Sequence, residues 1–181
     1  YYLHLTSLST RKIMRKLLIT GLLMTSCFTS TFAIDMNKKI EYSLPTDTKW
    51  KETHRSENEQ ITIIQYAPEN DSKDNLHEVV TLMHLSGVPI PLKDYFDLFV
   101  QELSKSGPKN GFQHKILDQN ENSLTGEWWI KNGSKEDQHE WIKLFKDGND
   151  LAIIRYTTKK TDSKSLENGK KIISEAKLTK N

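Results

Sequence analysis

The chain predicts an α+β fold: a single domain built on an antiparallel sheet of about six or seven strands, with a long amphipathic helix on one face and a short C-terminal helix. Three observations predict it. Residues Ser123–Lys131, Gln138–Phe145 and Asp150–Thr158 read as consecutive strands and hold three of the four tryptophans, Trp128, Trp129 and Trp141. The last two strands are joined by Lys146-Asp147-Gly148-Asn149, and Asp-Gly between alternating apolar runs is a strong hairpin signal. Upstream, Leu92, Tyr95, Phe96, Phe99, Val100 and Leu103 recur at steps of three and four, the period of a helix with one broad apolar face.

Ile40, Tyr42 and Leu44 alternate with polar residues as in a half-buried strand, which Pro45 ends. Thr46–Lys49 reads as a turn, and Glu52–Gln60 is polar and reads as a loop. Ile61–Tyr66 is a β-branched strand halted by Ala67-Pro68. Glu69–Asn75 is a charged loop, expected to be mobile. Glu78–Leu85 is apolar on both parities, as in a central strand covered on both sides. Pro91 suits the first turn of the helix, and Gly107-Pro108 stops it. Gln113–Gln119 returns to strand, with Asn120–Asn122 as the turn into Ser123. Alternation sends Leu124, Gly126, Trp128 and Ile130 to one face and Thr125, Glu127, Trp129 and Lys131 to the other. Gly126 marks a bulge or a close backbone approach. Asn132–Asp137 is a polar loop. Thr161-Asp162-Ser163 offers N-caps for a terminal helix with a thin apolar stripe, Leu166, Ile173 and Ala176, interrupted by Gly169. Thr179–Asn181 is expected to fray.

If Asp147 and Gly148 are the two hairpin residues, Phe145 faces Asp150, Leu144 faces Leu151, Ile142 faces Ile153 and Glu140 faces Arg155. One face then carries Ile142, Leu144, Leu151 and Ile153, with Glu140 and Arg155 at its open end. The other carries Trp141, Lys143, Phe145, Ala152, Ile154 and Tyr156.

Of the 181 residues, 1–33 have the layout of an upstream leader and a cleaved secretory signal peptide. Met14 is the expected start, Arg15 and Lys16 precede an apolar run, and Thr31-Phe32-Ala33 supplies the small residues of a cleavage site. The run is too short to span a membrane. Cys27, the only cysteine, lies in this stretch after Met24-Thr25-Ser26, loosely like a lipobox; cleavage there would give a lipid-anchored envelope lipoprotein. Residues 34–181 then form the single α+β domain. Its net charge is (26 − 4) − 24 = −2, because Arg11, Lys12, Arg15 and Lys16 leave with the first 33 residues. The basic balance belongs to the leader, and no Lys/Arg stripe points to nucleic acid.

The opening Ile40-Glu41-Tyr42-Ser43-Leu44-Pro45 with Trp50, the helix after the third strand, and the closing Gly148…Leu151-Ala152-Ile153-Ile154…Lys171-Ile172-Ile173-Ser174 resemble the Mog1/PsbP-like family of small α/β/α sandwiches. The resemblance covers almost all of residues 34–181. It implies a binding or accessory role, since members are mostly non-enzymatic exported assembly or binding factors, together with a regulator of a small GTPase.

The chain offers little chemistry. His54, His77, His84, His114 and His139 include no pair at helical i,i+4 spacing, so no metal site and no cofactor is expected. There is no G-x-S-x-G elbow and no phosphate-cradling glycine loop. The candidate binding residues are Trp129, Trp141, Tyr156 and His139, with His139 opposite Tyr156 in the register above. They form a recognition patch if the terminal helix covers the second face incompletely, and core if it sits on them. The expected function is an exported, periplasmic or secreted, bacterial binding or accessory protein whose partner is another protein. The alternatives are a secreted hydrolase using Glu127, Glu140 and His139, and the lipoprotein anchored at Cys27.

Overall fold

Two antiparallel meanders, one from each half of the chain, meet in the middle of one sheet. The computed structural model describes residues 38–72, 75–106, 111–131, 137–160 and 162–180. The leader and signal segment with Met14 and Cys27, the stop at Gly107-Pro108, Thr161, Asn181, and parts of the loops Glu69–Asn75 and Asn132–Asp137 lie outside the described residues. Strands β2 (Trp50–Glu57), β3 (Ile61–Pro68) and β4 (Glu78–Leu85) make the first meander. Strands β5 (Phe112–Gln119), β6 (Ser123–Ile130), β7 (Gln138–Asp147) and β8 (Asp150–Thr158) make the second. The order is β2-β3-β4-β8-β7-β6-β5, so β8 returns to pair with β4 in the centre. Helix α1 (Leu92–Ser106) carries the chain from β4 to the far edge at β5 and lies over β6 and β7.

The period-3.6 stripe of α1 is the reason for this crossing. Leu92, Tyr95, Phe96, Phe99, Val100 and Leu103 are all buried, against Leu124, Trp128, Ile130, Ile142, Leu144, Leu151 and Ile153. Burying six such side chains contributes about 1.5–3 kcal/mol each before the cost of ordering them. Gly126 marks a close approach rather than a bulge of its own strand: a Cβ there would sit 2.5 Å from Cε2 of Phe96. Helix α2 (Ser163–Glu175) packs on the opposite face over β7 and β8. Asp162 is its N-cap and accepts from the Ser165 amide at 2.9 Å. The two helices are of similar length, fifteen and thirteen residues, so the expected contrast between long and short is slight.

Four local expectations are corrected. Glu52–Gln60 is not a loop up to Glu57: it is most of β2, an edge strand whose polar side chains are solvated and whose backbone pairs with β3. The end of the chain does not fray over the described residues. Lys177–Lys180 forms β9, which pairs with β1 (Lys38–Glu41) in a separate two-stranded sheet, Ile40 opposite Leu178. The opening strand is therefore outside the main sheet and ends before Tyr42, although Ile40, Tyr42 and Leu44 still pack on the α2 side.

The fourth correction is the hairpin register. The loop residues are Gly148 and Asn149, and Asp147 pairs with Asp150. Gly148 has φ +61°, and no non-glycine residue described has positive φ, which is the pattern of a type II′ turn rather than I′. Leu144 then faces Ile153, Trp141 faces Tyr156, and His139 faces Thr158 rather than Tyr156. Glu140 faces Thr157 rather than Arg155. A shift of two residues changes partners but preserves faces, so the aliphatic set still lies under α1 and the aromatic set under α2. Both edge strands also break step, β2 at Thr53 and β5 at Leu117, and such bulges disrupt a free edge as a template for pairing.

Candidate functional site

Strand alternation aligns one file of rings across the α2 face. Trp129 on β6 is opposite His139 on β7, and Trp141 on β7 is opposite Tyr156 on β8. The Trp129 and His139 ring centroids are 5.6 Å apart. His139 stacks on Trp141 at 3.8 Å with planes 10° apart, and Trp141 lies 6.2 Å from Tyr156. All four sequence-derived candidates are thus neighbours. They do not share one environment. Helix α2 crosses at Gly169, directly over Trp141 and Tyr156, which are 1% and 0% exposed and belong to the core. Trp129 and His139 lie further out and stay partly exposed.

The hydroxyl of Tyr156 donates to the buried Glu78 carboxylate, which also takes Lys160 Nζ at 2.8 Å. Burial, and then that bond to Glu78, push the Tyr156 phenol up. It is a structural hydroxyl, not a proton donor poised for reaction.

A groove of about 310 Å³ opens beside Trp129 and His139. Lys115, Glu127, Lys131 and Leu166 contribute to its walls. Glu127 Oε1 is 2.9 Å from Lys115 Nζ, and Oε2 is 2.8 Å from His139 Nε2. Lys115 Nζ also lies 5.8 Å from the Trp129 ring centroid, within cation–π range. Burial opposes ionisation of Glu127, but the hydrogen bonds from Lys115 and His139 outweigh it and hold the carboxyl below its ordinary range. Burial is the largest influence on His139 and pulls its pKa below 6.5, and the contact with Glu127 only partly offsets this. At neutral pH the pair is therefore a neutral imidazole donating to a carboxylate whose counter-ion is Lys115.

That depression fixes the sign of a pH effect. The unfolded chain binds the His139 proton more readily than the folded one, so this group reduces stability as pH falls below about 6.5, with no contribution above it. Glu127 acts in the same direction at lower pH, losing its contribution below about 4.5. Urea unfolding between pH 7 and 5 is expected to show a falling midpoint that flattens in His139→Asn; an unchanged slope in the variant would place the titration elsewhere.

Glu140 is not brought to Glu127 and His139. Its neighbour in the strand, His139, faces α2, so Glu140 faces α1. There Arg155 donates to it through Nε at 2.8 Å and Nη2 at 2.7 Å, joined by Trp128 Nε1 and Thr157 Oγ1. Glu140 and Arg155, which the sequence register places directly opposite each other, do form an ion pair, but diagonally, and it is buried. Tyr95, in the same pocket, has its phenol pushed up to about 12 by burial. Among the described residues no three His, Cys, Asp or Glu side chains come together as metal ligands, and no helix is long and apolar enough to cross a membrane.

Sequence reasoning placed Lys131 on the Trp129 face and Leu166 on the stripe of the terminal helix but assigned neither of them, nor Lys115, to a site. Lys115 reaches Glu127 only through the β5–β6 register, which the bulge at Leu117 displaces from simple counting. Leu166 reaches the groove only because α2 turns its buried side, with Ile172 and Ile173, toward the sheet. No protein-family model matches the chain, nor does any curated protein sequence.

Proposed function

We propose that this chain is an exported, non-catalytic binding or accessory protein that recognises another protein through the groove beside Trp129. The observation that carries the reading is a partly buried tryptophan on the wall of an open groove whose Glu127 carboxylate is already bonded to both His139 and Lys115. Tryptophan at such a position buries large area on contact while its indole keeps a polar handle. The resemblance to the Mog1/PsbP-like family, whose members are mostly binding and assembly factors, supports the same reading. A hydrolase built on Glu127, Glu140 and His139 is disfavoured because Glu140 lies on the other side of the sheet, saturated by Arg155, Trp128 and Thr157.

The test is photo-crosslinking in the exporting cell, with p-benzoylphenylalanine replacing Trp129 or, as a control, Leu98 on the exposed side of α1. A discrete protein adduct at 129 and not at 98 is expected, on a chain whose N-terminus lies near Ile34. The same adducts at both positions, or none, would overturn the reading; an acylated Cys27 would replace export as a free protein with anchoring.

A further inference from the structure

The file of rings on the α2 face runs from solvent into the core. Trp129 at its outer end is partly exposed, whereas Trp141 and Tyr156 are sealed beneath α2. Successive ring centroids are 5.6, 3.8 and 6.2 Å apart, spacings at which aromatic neighbours interact directly. The file stops at Tyr156, whose partner on β4 is the aliphatic Val80. At that inner end the Tyr156 hydroxyl donates to the Glu78 carboxylate. No cysteine occurs among the described residues, so indole and phenol are the groups a one-electron oxidant attacks most readily.

We infer that this file carries one-electron oxidising equivalents from Trp129 through Trp141 to Tyr156, where Glu78 takes the phenolic proton, and that the exposed indole is thereby spared. A one-electron oxidant, such as a carbonate or azide radical, removes an electron from Trp129 and leaves the indole radical cation. Trp141 refills Trp129 with one electron across the His139 ring, and Tyr156 refills Trp141 with another. The Tyr156 O–H bond breaks as its electron leaves, and the proton passes to Glu78. In sum the oxidant gains one electron, both indoles are restored, and a neutral tyrosyl radical faces a protonated Glu78. A reductant such as ascorbate resets the chain, one electron returning along the same rings and Glu78 giving the proton back. Imidazole is harder to oxidise than indole, so His139 is the medium between the two indoles. Burial favours its neutral form, which adds no charge opposing the radical cation. The resting phenol holds its proton, because burial and the neighbouring carboxylate both push its pKa up. Loss of an electron makes the phenol a strong acid, and its existing bond to Glu78 becomes the route for the proton. Each end of the file has a cation bound to a carboxylate, Lys115 on Glu127 at 2.9 Å and Lys160 on Glu78 at 2.8 Å. The proton acceptor beside Tyr156, not the charge, therefore sets the direction. None of this depends on what the groove binds.

Pulse radiolysis of the exported chain with azide radicals, which oxidise tryptophan in preference to tyrosine at neutral pH, tests the inference. Indolyl absorption is expected to decay into tyrosyl absorption at a rate independent of protein concentration. Tyr156→Phe keeps the ring and is expected to lose the tyrosyl signal; Glu78→Gln is expected to slow its appearance. After a fixed dose, mass spectrometry is expected to find more oxygenated Trp129 in Tyr156→Phe than in the parent. Trp141→Phe should also raise it, and Tyr156→Phe keeps the test valid if Trp141→Phe loosens α2. A tyrosyl signal that survives in Tyr156→Phe would place the radical on another tyrosine and overturn the inference. So would a rate proportional to protein concentration, a rate unchanged in Glu78→Gln, or equal Trp129 oxygenation in Tyr156→Phe and the parent.

Discussion

Replacing Glu140 with glutamine is expected to lower the unfolding free energy by about 3–5 kcal/mol, as removal of one partner from a buried ion pair does. The substitution keeps the shape of the side chain and an acceptor for Trp128 Nε1. It removes the charge opposite Arg155, which is 5% exposed, lies 4.9 Å from the Phe99 ring centroid and cannot shed its proton. The aromatic contact is worth about 2 kcal/mol at best and cannot replace the carboxylate. Urea unfolding should show a lower midpoint at unchanged slope. The double variant Glu140→Gln/Arg155→Met is expected to be less destabilised than the sum of the single ones, because the second change removes the stranded charge. Full additivity would mean that the pair is not coupled as its geometry requires.

The second large effect is expected at Gly169. Helix propensity alone favours Gly169→Ala by about 1 kcal/mol. Packing reverses the sign. The new Cβ would lie 2.4 Å from Cε3 and 2.5 Å from Cζ3 of Trp141, and 2.7 Å from Cδ1 of Tyr156. Neither ring can retreat, since both are fully buried on the sheet. Helix α2 must lift, at a net cost of about 1–3 kcal/mol, the usual range for overpacking. Tryptophan emission should shift to the red as Trp141 becomes hydrated. A variant as stable as the parent, with unshifted emission, would show that the helix does not rest on Trp141. Gly126→Ala on the opposite face meets Phe96 in the same way and should loosen α1 instead.

Much of the sheet was legible because strand periodicity is a local property. Glu78–Leu85 and Asp150–Thr158 keep their expected bounds, and the apolar face of α1 is the one its spacing requires. What failed was local structure with no apolar signature. Strand β2 is polar because one side of an edge strand is water, and its backbone is held by β3 rather than by its own side chains. Strand β9 exists because β1 happens to lie beside it. The candidate site was half legible. Alternation predicts that Trp129, His139, Trp141 and Tyr156 share a face, but not which of them a helix would cover.

The sequence by itself determined the fold class, the two faces of the sheet and the helix that covers the first, since each follows from side-chain spacing along a single segment. Only the tertiary structure decided that Glu140 and Arg155 pair diagonally in the core, that α2 seals Trp141 and Tyr156, and that Lys115, Lys131 and Leu166 frame a groove around Trp129 and His139. Those outcomes depend on strand register and on where a helix comes to rest. Both are set by contacts between residues far apart in the chain, and no local pattern encodes them.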